Sequence, residues 1–175
     1  MNNGSANIVL IGMPGAGKST LGVLLAKTLG MSFVDTDLLI QQQEGRLLQQ
    51  IINEKGVTGF LDVEEKVILE MKSKKTVIAT GGSVIYREPA ITHLKKAGCL
   101  IYLRLGFEQL QQRITNMGSR GIAMKEGQKL ADIYRERTPL YDKYADLTID
   151  ISFQTVEEAL QTILTKITII EEISS

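Results

Sequence analysis

Gly12-Met13-Pro14-Gly15-Ala16-Gly17-Lys18-Ser19-Thr20 follows directly on the apolar run Ile8-Val9-Leu10-Ile11 and fits G-x-x-x-x-G-K-[ST] at every fixed position. With glycine at roughly 7% of average usage, a chance match in a chain this long arises on the order of once in a hundred. The glycines permit a tight turn that aims backbone N–H groups inward, and the positive end of the following helix backs the resulting anion site. Lys18 is placed to put a point charge between β- and γ-phosphates, and the Ser19 hydroxyl suits one coordination position of a phosphate-bound Mg²⁺. Gly12, Gly15, Ala16, Gly17, Lys18, Ser19 and Thr20 are therefore read as the ATP-binding loop.

Outward from the loop, short β-branched runs alternate with longer amphipathic stretches. Asn7–Ile11, Ser32–Asp35, Thr76–Thr80, Cys99–Leu103 and Leu147–Ile151 read as strands, each separated by enough residues for a helix. That pattern predicts an α/β protein, a three-layer α/β/α P-loop NTPase fold with a central five-stranded parallel sheet. Thr76–Thr80 and Cys99–Leu103 are apolar enough to be covered on both faces, so both are expected inside the sheet. Gly30 stops the helix that starts at Ser19, and Thr155-Val156-Glu157-Glu158 is a capping box opening the last helix, with Val156, Ala159, Leu160, Ile163 and Ile167 on one stripe.

The 175 residues predict one domain, 1–175. Twenty Lys and Arg balance twenty Asp and Glu with no basic stripe, which speaks against a nucleic-acid partner. No apolar run approaches the roughly 20 residues of a membrane span, and no basic or apolar leader pattern opens the chain. A cytoplasmic monomer without membrane attachment is the expectation. His93 is expected at the surface and Cys99 as a small apolar filler. The stretch 116–127 holds three glycines, mixed charge and no period, and the segment 117–127 is expected to be a mobile lid whose Arg120 closes over the transferring phosphate.

Phosphoryl transfer also requires a group to complete the Mg²⁺ shell and another to hold and deprotonate the acceptor hydroxyl. Asp35-Thr36-Asp37, at the carboxyl end of the second strand, supplies two carboxylates that an extended chain would point the same way. The same residues before a helix also suit N-terminal capping.

Together these features resemble the shikimate kinase family, small P-loop kinases that transfer the γ-phosphate of ATP to a ring hydroxyl. The resemblance runs along nearly the whole chain. It rests on Gly12–Thr20, Phe33-Val34-Asp35-Thr36-Asp37, Gly45-Arg46, Gly56 through Phe60 and Glu64, Gly81-Gly82, Arg113, Arg120 and Arg137-Thr138-Pro139-Leu140-Tyr141. It implies that Asp35 supports Mg²⁺ through water and that Asp37 holds the acceptor hydroxyl as base. It further implies substrate contacts from the Gly81 and Gly82 N–H groups, Arg113 near adenine, Arg120 on the lid and Arg137 on the substrate carboxylate. Lys18, Asp37 and Arg120 would then be catalytic, with Ser19 and Asp35 on the metal.

Three positions depart from the family pattern. Leu61 stands where an arginine clasps the substrate carboxylate, Ser83 replaces the third glycine of a triple glycine, and Gly121 follows Arg120 where proline is usual. Loss of a charge-assisted bidentate contact forfeits roughly 1.5–3 kcal/mol, one to two decades of affinity. Arg137, helped by Arg46 or Lys66, is expected to compensate, and Arg137 is the candidate partner for Glu64, which by resemblance positions an arginine. Two alternatives remain at this level: a kinase of the same fold with a different small hydroxylated acceptor, for instance an amine paired by Asp62, and a nucleotide-binding module that transfers nothing. The paired aspartates have no use in the latter.

Overall fold

The computed structural model of the chain describes residues 6–114 and 121–174. Its framework is a five-stranded parallel sheet in the order β2-β3-β1-β4-β5. The strands are β1 (Asn7–Ile11), β2 (Ser32–Asp35), β3 (Thr76–Ala79), β4 (Gly98–Arg104) and β5 (Leu147–Asp150). They coincide with the apolar runs of the sequence to within a residue at each end. β1 is buried along its whole length because β3 and β4 pair on either side and helices cover both faces, as an all-parallel sheet requires.

Helices α1 (Lys18–Leu29), α2 (Thr36–Glu44), α3 (Leu48–Glu70), α4 (Glu88–Ala97), α5 (Phe107–Arg113), α6 (Leu130–Tyr144) and α7 (Val156–Ser174) connect and flank the strands. Gly30 caps α1 in the left-handed conformation, its N–H returned to the carbonyls of Ala26 and Lys27. At the start of α7 Thr155 and Glu158 exchange hydrogen bonds of 2.8 and 3.2 Å, the reciprocal cap expected from the sequence. Ala159 and Ile163 carry that helix onto the core, whereas Val156, in the first turn, stays exposed.

Two apolar clusters result. The larger surrounds the sheet and includes Val9, Leu10, Ile78, Leu100, Ile101 and Ile163. The smaller, Ile40, Leu48, Ile51, Ile52, Phe60, Val67 and Ala123, lies between α2 and α3, and Leu61 packs against it. His93 is partly buried and bonds the Met71 carbonyl at 3.2 Å, and Cys99 is half-buried in β4 beside Ile8. No described helix is long and apolar enough to cross a membrane.

Candidate active site

The carboxyl edge of the sheet, where α/β proteins bind ligands, carries a cavity of about 530 Å³. One wall is the loop between β1 and α1. The close approach of β4 demands glycine at position 12, where φ is +148° and a Cβ would stand 2.8 Å from the Leu103 carbonyl oxygen. Ala16 is fully buried behind the loop, while Gly15, Gly17, Lys18, Ser19 and Thr20 face the cavity. The Lys18 ammonium donates to the carbonyls of Gly12 and Met13, both at 2.8 Å. Burial pulls its pKa down to about 8 against the opposing pull of Asp37 and Asp35.

The two aspartates are not placed as neighbours on a strand. The chain turns helical at Thr36, so Asp35 ends β2 while Asp37 lies in the first turn of α2. Asp35 caps that helix, its Oδ1 accepting from the N–H groups of Asp37 (3.0 Å) and Leu38 (3.3 Å). Its other oxygen, Oδ2, accepts from the Ser19 hydroxyl at 2.6 Å. One carboxylate thus both caps the helix and ties the phosphate-loop hydroxyl to it. Asp37 is free to line the cavity, and burial together with the charge on Asp35 pushes its pKa up to about 6, partly offset by Lys18.

Gly81, Gly82, Ser83, Phe60 and Arg137 form a further part of the wall. The Gly81 N–H donates to the Thr36 hydroxyl at 3.1 Å, so of the two glycines only Gly82 has an N–H without a partner among the described residues. Gly82 passes Pro14 so closely that a Cβ would lie 2.7 Å from its Cδ, and its carbonyl accepts from the Tyr141 hydroxyl at 2.5 Å. Arg137 is 1% exposed. Its Nε donates to the Tyr86 hydroxyl at 3.1 Å and its Nη2 to the Ala123 carbonyl.

Arg137 is therefore not the partner of Glu64, contrary to expectation. Glu64 is 1% exposed, and its Oε2 accepts from the Ser83 hydroxyl at 2.9 Å while Oε1 has no hydrogen bond. Burial and the nearby Asp37 push its pKa up to about 8. The substitution at position 83, small by size, supplies the only side-chain bond this carboxyl makes among the described residues. Arg46 and Lys66 do not reach the cavity: Arg46 pairs with Glu54 at the surface and Lys66 is exposed. Asp62 pairs with Arg87, also outside it.

Arg113, the last residue of α5, also lines the cavity. Arg120 lies outside the described residues, as do 117–119 of the expected lid. From the remainder of that segment, Gly121, Ile122 and Ala123 line the cavity, with Ala123 seated in the smaller apolar cluster. Thr36, Tyr86 and Tyr141 bond the wall residues Gly81, Arg137 and Gly82, roles not expected from the sequence. The last had a signal, since position 141 falls one helical turn beyond Arg137 and shares its face.

The family model described as shikimate kinase matches residues 14–168. The chain belongs to the shikimate kinase family. Relatives include a shikimate kinase of Thermodesulfovibrio yellowstonii, 37% identical over 161 residues that span 90% of this chain and 92% of the relative. The solved shikimate kinase of Acinetobacter baumannii in complex with shikimate superposes with a TM-score of 0.86 at 36% identity, covering 93% of each chain. The shikimate kinase of Aquifex aeolicus superposes at 0.78 with 30% identity, covering 93% of this chain and 96% of the other. Like other members of the shikimate kinase family, the protein is an ATP-dependent phosphotransferase acting on a hydroxyl.

Proposed function

We propose that the protein transfers the γ-phosphate of ATP, with Mg²⁺, to a ring hydroxyl of shikimate, giving shikimate 3-phosphate. The observation that carries this reading is the convergence on one cavity of the phosphate loop, an ionisable Asp37 and a buried Arg137. ATP lies along the loop, with Lys18 against the β- and γ-phosphates, Arg113 near adenine, and the 117–127 segment closing as a lid that brings in Arg120. Ser19 and Asp35 present a hydroxyl and a carboxylate 2.6 Å apart beside the loop, hard oxygen donors that fit Mg²⁺, Asp35 through water. Bound there, the ion would neutralise phosphate charge.

Arg137 holds the acceptor carboxylate, and the Gly82 N–H contributes beside it. Asp37 accepts a hydrogen bond from the acceptor hydroxyl. As the new O–P bond forms and the bond to the β-phosphate oxygen breaks, the hydroxyl proton passes to Asp37 and ADP departs. A cytoplasmic monomer is part of the same reading.

The second reading is a different small hydroxylated acceptor. It is favoured by Leu61, which packs into the apolar cluster where a second guanidinium would strengthen carboxylate binding. ADP release with Mg·ATP and shikimate, beside a panel of polyols, sugars, amino alcohols and nucleoside monophosphates, separates the two. Turnover of shikimate with a micromolar to sub-millimolar KM is expected. Feeble turnover with shikimate and a clear signal from another acceptor would replace the first reading by the second.

A further inference from the structure

Arg137 is a buried cation with an unusual set of partners. Among the described residues no carboxylate lies within 4 Å of it, and its neighbours are a phenol oxygen, a peptide carbonyl and the Tyr86 ring, whose centroid is 5.2 Å from Cζ. A guanidinium so placed is costly until an anion reaches it. The Tyr86 hydroxyl on Nε and the Ala123 carbonyl on Nη2 occupy the side-on edge of the fork. Nη1 is left without a hydrogen bond among the described residues, 3.2 Å from where a Cβ on Gly82 would stand, on the wall of the cavity.

Nothing on α3 shares the task. Leu61 belongs to the apolar cluster, and the other described guanidinium on the wall is that of Arg113, which is proposed to lie near adenine. A lone arginine with a flexible stem binds a carboxylate well only if its fork is already aimed. Tyr86 closes the single helical turn Val84–Tyr86 that follows Gly82-Ser83, so it ties the guanidinium to the same loop that forms the acceptor wall. The phenol oxygen, neutral at ordinary pH, accepts from Nε.

We infer that Tyr86 is a positioning residue for the acceptor, fixing the Arg137 fork so that Nη1 meets the acceptor carboxylate; this rests on shikimate being the acceptor. The variants Tyr86→Phe and Tyr86→Leu test it in steady-state kinetics on the full chain. Y86F keeps the ring and removes the hydroxyl, and should raise the KM for shikimate about fivefold to tenfold, with kcat and the KM for ATP within about twofold. Y86L should raise it further. The effect of Y86F should vanish in an Arg137→Ala background, and with a shikimate analogue whose carboxylate is replaced by hydroxymethyl.

An unchanged KM in Y86F, beside a wild type that turns over shikimate, would overturn the inference and leave the acceptor reading standing. Persistence of the loss in the R137A background or with the carboxylate-free analogue would also overturn it, since Tyr86 would then act on something other than the clamp. A wild type that does not turn over shikimate would overturn both.

Discussion

Replacing Glu64 by Gln should stabilise the protein, and the gain should grow with pH. Glu64 is buried at 1% exposure, beside Asp37, with only Oε2 bonded. Its carboxyl holds a proton up to about pH 8 in the folded chain, against an ordinary value of 4.5. Between those limits the folded form binds more protons than the unfolded form, so stability falls as pH rises through the window. At 1.36 kcal/mol per unit, the cost of Glu64 is under about 1 kcal/mol at pH 5, about 3 at pH 7 and about 4 at pH 8.

Gln has no such titration. Its side-chain oxygen still accepts from Ser83, and its amide adds a donor where Oε1 has no partner. E64Q should therefore match the wild type within about 1 kcal/mol at pH 5 and exceed it by about 3 at pH 7. Urea unfolding at pH 5, 6, 7 and 8 reads this directly. Far-UV circular dichroism and tyrosine fluorescence serve as probes, because the chain has five Tyr and no Trp. Contributions from Asp37 and other groups are largely common to both proteins and drop out of the difference. A gap that stays constant across the four pH values would refute the account, because Glu64 would then titrate alike in the folded and unfolded chains.

Lys18→Ala should reduce turnover by at least about a thousandfold with any acceptor while leaving the circular dichroism spectrum unchanged, because the point charge on the phosphates is removed and the loop backbone is not; full activity would contradict the phosphate-loop assignment. For the wild type, kcat/KM for shikimate should fall as pH drops through about 6, where burial and the charge on Asp35 place the Asp37 proton; in Asp37→Asn the remaining rate should lose that limb and drop by about 10²–10⁴. Leu61→Arg returns a guanidinium one helical turn before Glu64, whose Oε1 has no partner, and should lower the KM for shikimate by about one decade. An unchanged or higher KM in L61R would mean that an arginine on this helix does not reach the acceptor.

The elements that the sequence exposes most clearly are those whose signal is local. β1 carries four consecutive apolar residues, Ile8–Ile11, the phosphate loop is glycine spacing within nine positions, and the cap of α7 is complete within Thr155–Glu158. The carboxylates at 35 and 37 stand out in the sequence as a pair, although their arrangement does not: strand alternation suggests a shared direction, whereas the turn into α2 gives one the cap and the other the cavity. Where the local pattern ended, the expectation for Glu64 went astray. Charge complementarity pointed to Arg137, but the helix that carries Glu64 brings it under Ser83.

Strand runs, helix stops, the nucleotide loop and the acids at the strand ends follow from the sequence alone, because each is fixed by backbone propensity or by neighbours within a turn or two. Glu64 on Ser83 and Arg137 on Tyr86 join residues 19 and 51 positions apart. No periodicity records such pairs. They exist because the parallel sheet brings the ends of β2 and β3 to one edge, and α6 packs against the turn after Gly82. The tertiary structure thereby decides that the Glu64 carboxyl bonds the Ser83 hydroxyl and that Arg137, held by Tyr86 and Ala123, lines the cavity.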